Sequence, residues 1–177
     1  MQKSIKRLAF SALFLALAII FQNLRILPFI GASTPQSLFI IGSLVNLVLV
    51  ITVLYCGVFD ACVIGIITPI VAAFQGHLPS IALFPIVALG NCMLPLVIDV
   101  CKRKLYLGVI LGSILKTIFL YFTMINISKL LLPAKAQALI AYNFSWPQLV
   151  TALIGGFLAI YLVKKLPKID VNNKDKA

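Results

Sequence analysis

The chain has 177 residues, of which 62% are hydrophobic and only 11% charged, and its mean hydropathy is +1.13. No water-soluble domain of this length covers so much apolar surface, so the solvent around it is largely lipid. The formal net charge of +11, with four Asp and no Glu, would suggest nucleic acid in a soluble protein, but here the basic residues cluster at the ends of apolar segments, where topology is written in a membrane protein, and nucleic-acid binding is set aside.

The first apolar segment runs from Leu8 to Leu27, behind Lys3, Lys6 and Arg7. A cleaved signal peptide shares that basic start, but its apolar core stops after roughly 7–15 residues, so a retained span is expected. The second segment, Ser37 to Cys56, meets the third, Val58 to Phe74, at Gly57. Together they are too long for one straight span and read as a tight helical hairpin, with Asp60 near the cytoplasmic surface. Gln75 to Ser80 form a polar turn, Ile81 to Val100 a fourth segment stopped by Lys102, Arg103 and Lys104, and Leu105 to Ile127 a fifth. Residues 128–145 read as the longest loop. The last span starts at Trp146-Pro147, with proline suited to a first helical turn, and ends at Lys164 and Lys165.

The expected fold is therefore all-α, a polytopic membrane bundle of six transmembrane helices in a single domain over residues 1–168, with 169–177 as a disordered cytoplasmic tail. Placing the amino end in the cytoplasm puts eleven basic residues there and leaves Arg25, Lys129 and Lys135 on the opposite face. That split satisfies the positive-inside rule, so both termini are expected to be cytoplasmic. Cys56, Cys62 and Cys101 lie toward the reducing side and Cys92 within a span, with neither disulfide nor metal-site spacing.

Motifs for chemistry are missing. His77 is the single histidine, which excludes a paired-histidine zinc site, and there is no phosphate-cradling Gly-x-x-x-x-Gly-Lys-Ser/Thr. The aspartates are scattered, so no carboxylate pair is available for acid–base work. No enzyme, cofactor or metal is expected.

One charge falls inside a span. Lys116 sits in the middle of the fifth segment, where a cation costs about 2.5–3.5 kcal/mol on insertion scales and should face the bundle interior with a partner such as Asn91, or with a ligand. Helical periodicity sets Thr117, Leu120, Tyr121 and Met124 on neighbouring turns. Asn23, Arg25, Gln36, Gln75, His77, Asn126, Asn143 and Trp146 converge on the outer face. Singly each is an ordinary interfacial residue, and Trp146 with Tyr142 matches an aromatic belt. Together they suggest a wet, outward-open pocket for a small molecule. The first segment also carries clustered small residues, Ala9, Ala12 and Ala16 among them, which permit close helix–helix approach, inside the bundle or with a partner.

Over essentially its whole length the chain resembles the substrate-binding S components of energy-coupling-factor (ECF) vitamin transporters. The resemblance rests on the basic amino end, Ala12-x-x-x-Ala16, six short spans, Gly65-Ile66-Ile67-Thr68-Pro69, the Gly76-His77-Leu78-Pro79 turn and Gly90-Asn91. It implies a bacterial cytoplasmic-membrane protein that captures a vitamin-like ligand from outside and docks, through Ala9, Ala12 and Ala16, on a transmembrane coupling subunit served by two ATPase subunits. It further implies loops that cover the ligand, and toppling of the whole component in the membrane. Lys116 and Arg25 favour a carboxylate or phosphate on the ligand, and Tyr121, Phe122, Phe144 and Trp146 could stack a ring. A stand-alone permease lacks a visible inverted repeat, and an intramembrane enzyme or scaffold lacks a nucleophile–base set.

Overall fold

A computed structural model describes residues 2–24, 35–78 and 80–165. Seven α-helices follow one another: α1 (Gln2–Asn23), α2 (Pro35–Tyr55), α3 (Val58–Phe74), α4 (Phe84–Val100), α5 (Leu105–Leu131), α6 (Ala134–Asn143) and α7 (Trp146–Lys165). Single 3-10 turns precede α4 and α5. Among the described residues, five stretches are long and apolar enough to cross a membrane, and α3 is a shorter apolar helix that reaches about 25 Å at 1.5 Å per residue. The outer surface carries large apolar side chains such as Leu8, Phe59, Phe74, Leu107 and Phe122, which only lipid solvates without cost. The chain is a multi-pass membrane protein.

The helix boundaries fall close to the apolar runs of the sequence, with one difference. Residues 128–145, expected as a loop, are helical for most of their length: α5 continues to Leu131, and after Pro133 the chain forms α6. Pro133 caps α6 from an extended conformation, and its missing N–H costs nothing just outside a first turn. The polar composition of α6 hid it from a hydropathy reading. The expected tail lies outside the described residues.

Packing gives the bundle two distinct ends. At one, Arg7 on α1 is ion-paired with Asp60 on α3, Lys102 with Asp99 at 2.9 Å, and Lys164 at the end of α7 donates to the Tyr106 hydroxyl at 3.0 Å. The basic clusters of the described residues thus collect on one side. At the other end, Gln75 Nε2 donates to Asn23 Oδ1 at 2.9 Å, and Phe39 and Trp146 bring the starts of α2 and α7 together with ring centroids 5.4 Å apart. α2 runs alongside α7 as the most extensive contact of the bundle, and α4 is held between α3 and α5. α1 is peripheral: it packs on α2 and α3, burying Ala18 and Gln22, while Leu8, Leu13 and Ile20 stay exposed.

The α2–α7 contact depends on Gly155. A Cβ there would stand 2.4 Å from the Ser43 carbonyl oxygen and 2.9 Å from Asn46 Cβ, so the two backbones touch, as small residues allow in membranes. Gly155→Ala should cost about 1–3 kcal/mol by overpacking. Leu158→Ala, on the exposed face of the same helix, should stay within about 0.5 kcal/mol. Unfolding of both variants in mild detergent checks this.

Candidate functional site

Lys116 is 2% exposed, although it carries a formal charge in the middle of the bundle. Its Nζ donates to Asn46 Oδ1 at 2.7 Å and to Asn91 Oδ1 at 2.9 Å. The two carboxamides come from α2 and α4, so the ammonium of α5 ties three helices together. An ammonium only donates, so each amide must turn its oxygen to it and place its NH2 elsewhere. The surroundings permit this: Asn46 Nδ2 donates to Thr151 Oγ1 at 3.4 Å and Asn91 Nδ2 to the Gly65 carbonyl at 3.3 Å. Among the described residues no carboxylate reaches Lys116, since Asp60 pairs with Arg7 and Asp99 with Lys102.

The Gly65 carbonyl is available because Pro69 stands four residues further along α3. Proline has no N–H to donate, so the helical bond that would occupy this oxygen does not form. Gly65 also lets α4 approach: a Cβ at that position would lie 3.2 Å from Asn91 Cβ. The Gly65-Ile66-Ile67-Thr68-Pro69 segment is therefore a built seat for Asn91, with an orphan acceptor and room for the side chain. Gly155 does the corresponding steric work for Asn46. Neither asparagine chooses its orientation freely.

Above this group a cavity of about 610 Å³ opens toward the end of the bundle away from the basic clusters. Lys116, Asn46 and Asn91 form its base. Ile41, Val45, Pro69, Ala72 and Val87 line its walls, and His77, Tyr142 and Asn143 stand near its mouth. The inner side of α6 contributes Leu139 and Ile140, so this unforeseen helix roofs the cavity. Gln22 enters from α1. Its Nε2 donates to the Thr68 carbonyl at 3.0 Å, and its Oε1 is buried with no partner among the described residues.

Of the residues singled out from the sequence, Lys116, His77, Asn91, Tyr142, Asn143 and Phe144 line this cavity. Gln75 instead ties α3 to Asn23. Trp146 is half exposed against Phe39 and Tyr142. Tyr121 lies on the outer surface, edge-on to Phe122, and the exposed Asn126 donates to the Phe122 carbonyl. Gln36 lies in the first turn of α2, and Arg25 lies outside the described residues. The structure adds Asn46, Gln22, Thr68 and Gln148 to the lining. Asn46 left a signal in the sequence, a carboxamide in the midst of Leu44-Val45 and Leu47-Val48-Leu49, where an unpaired polar group is costly.

A family model described as "ECF transporter, substrate-specific component" matches residues 6–166. No curated protein and no solved structure matches the chain.

The three-residue base should behave as a unit. Asn91→Leu removes one of the two acceptors on a buried ammonium and should destabilise the protein by about 1.5–3 kcal/mol. Once Lys116 is already Met, the same change should cost much less, and a double-mutant cycle of unfolding in detergent measures the coupling.

Proposed function

The chain belongs to the substrate-specific components of ECF transporters, and on that basis we propose that it is the high-affinity capture subunit for a vitamin or related micronutrient. The ligand enters the cavity from outside the cell and is held at its base by Lys116. The observation that carries this reading is a buried ammonium, facing an open cavity, with neutral carboxamides and, among the described residues, no carboxylate around it. Two carboxamides satisfy two of its three N–H donors. A carboxylate or phosphate from the ligand would take the third and supply the missing charge.

The family implies a coupling subunit and ATPase partners, since neither a motor nor a nucleotide-binding motif is present in this sequence. For the docking face we propose Ala9, Ala12 and Ala16. All three are exposed on α1, in line with Leu13 and Ile20, which are about 60% exposed. The packed α1–α3 side leaves this stripe uncovered, and small residues let a partner helix come close in lipid. We further propose that the end carrying Arg7, Lys102–Lys104 and Lys164 faces the cytoplasm, with both termini there, by the positive-inside rule. The cavity mouth then faces outward, toward the arriving ligand.

Co-expression with an ECF coupling subunit and its ATPases tests the reading. The wild-type chain should co-purify with them and support ATP-dependent uptake of a B vitamin or precursor. Ala12→Trp should reduce complex formation at least about tenfold, an effect of the size seen when a central interface contact is lost. It should leave the stability of the isolated chain unchanged. Uptake without any coupling module would instead indicate a stand-alone permease.

A further inference from the structure

Gln22 gives the cavity a second point of recognition that the sequence did not announce. The side chain is 7% exposed, and its amide cannot turn at will, because Nε2 is committed to the Thr68 carbonyl at 3.0 Å. The oxygen is thereby left buried against the cavity with no donor among the described residues. A buried acceptor without a donor is costly, and a ligand N–H or O–H would satisfy it. The site thus carries an exacting pair of demands: an anion at Lys116 and a hydrogen-bond donor at Gln22.

α3 anchors both points. Asn91, which orients toward Lys116, hangs from the carbonyl of Gly65, and Gln22 hangs from that of Thr68. Three residues of helix separate the two carbonyls by about 4.5 Å along the axis. The lining is largely aliphatic, with Ile41, Val45, Pro69, Ala72 and Val87, and its aromatic members are His77, Tyr142 and Phe144. Among the described residues no pair of aromatic rings faces across the base to sandwich a flat ring system.

Resting on the capture reading, we infer that the ligand class is an aliphatic hydroxy- or amido-carboxylate, with its carboxylate on Lys116 and a hydroxyl or amide N–H donating to Gln22 Oε1 in the same cavity. Flat polycyclic compounds and cations are disfavoured by the same features.

The test uses the full chain in lipid nanodiscs and isothermal titration with two aliphatic hydroxy acids, pantothenate and mevalonate. The comparison compounds are their uncharged counterparts panthenol and mevalonolactone, with nicotinate, riboflavin and thiamin as flat or cationic competitors. At least one acid should bind about 10- to 100-fold tighter than its uncharged counterpart. Lys116→Met should abolish that preference. Gln22→Met should weaken the acid about tenfold and keep the preference for the charged form. Should Lys116→Met fail to fold, Asn46→Asp, which gives the ammonium an internal carboxylate, should erase the same preference. Tighter binding of nicotinate, riboflavin or thiamin, failure of both acids to bind, or a preference that survives at Lys116 overturns the ligand class. The capture reading survives such a result if one of the competitors binds tightly, and falls only if none binds and the chain does not co-purify with a coupling subunit.

Discussion

The architecture turns on keeping one ammonium in the middle of a lipid-embedded bundle. A lysine at that depth costs a few kcal/mol even on lenient scales, and the protein offsets this with geometry rather than with a counter-ion among the described residues. Asn46 and Asn91 present their oxygens at 2.7 and 2.9 Å, and each is aimed by a bond on its own NH2 group. The aiming bonds rest in turn on features of the backbone. Pro69 leaves a carbonyl vacant, Gly65 admits Asn91, and Gly155 admits the helix that bears Asn46. Four helices and α7 are thus positioned around one nitrogen, and the cavity is the space that this arrangement leaves above it.

Much of this was legible in the sequence, for a physical reason. Lipid forces every spanning backbone into helices, so apolar runs and basic clusters locate α1 to α5 and α7 almost directly, and a mid-span Lys declares itself by its cost. α6 was not legible, because its Ala, Gln and Lys content does not look like a span and a short roof helix has no period long enough to read. The orientation of α5 was only partly legible. Lys116, Leu120 and Met124 share the buried face, four residues apart, while Tyr121 is five residues from Lys116 and is turned away by about 140°. Asn46 and Gln22 required the fold, since a carboxamide's partners lie on other helices. The Gly65–Pro69 segment was visible as a motif, but its work as a seat for Asn91 appears only when α4 is beside it.

The two faces of α1 divide its duties in the same physical terms. Its inner face sends Gln22 into the cavity and Arg7 to Asp60, so this peripheral helix is fastened at both ends to α3. Its outer face is left smooth by Ala9, Ala12 and Ala16. A partner docking on that stripe would therefore press on a helix that also lines the cavity through Gln22. If the proposed partner docks there and the proposed ligand reaches Gln22, coupling the two would need no long pathway of side chains, because both would touch one helix. The short α3, anchored to α1 at Asp60, Thr68 and Gln75, would carry any tilt of α1 to the seat of Asn91.

The absence of glutamate from the entire sequence, and the engagement of Asp60 and Asp99 elsewhere, fit this arrangement. An internal carboxylate beside Lys116 would stabilise the empty protein, but it would occupy the place proposed for a ligand's charge and would have to be displaced before such a ligand bound. Neutral carboxamides avoid that competition. They solvate the ammonium well enough for the empty bundle to persist and leave its third donor and its net charge unanswered. Binding then gains the full charge-assisted bond without first breaking an ion pair. On the proposed reading, a site of this kind would be preorganised for capture at low ligand concentration. On the proposed reading, release would come from a change in the site itself, driven through the coupling subunit and ATPases that the family implies.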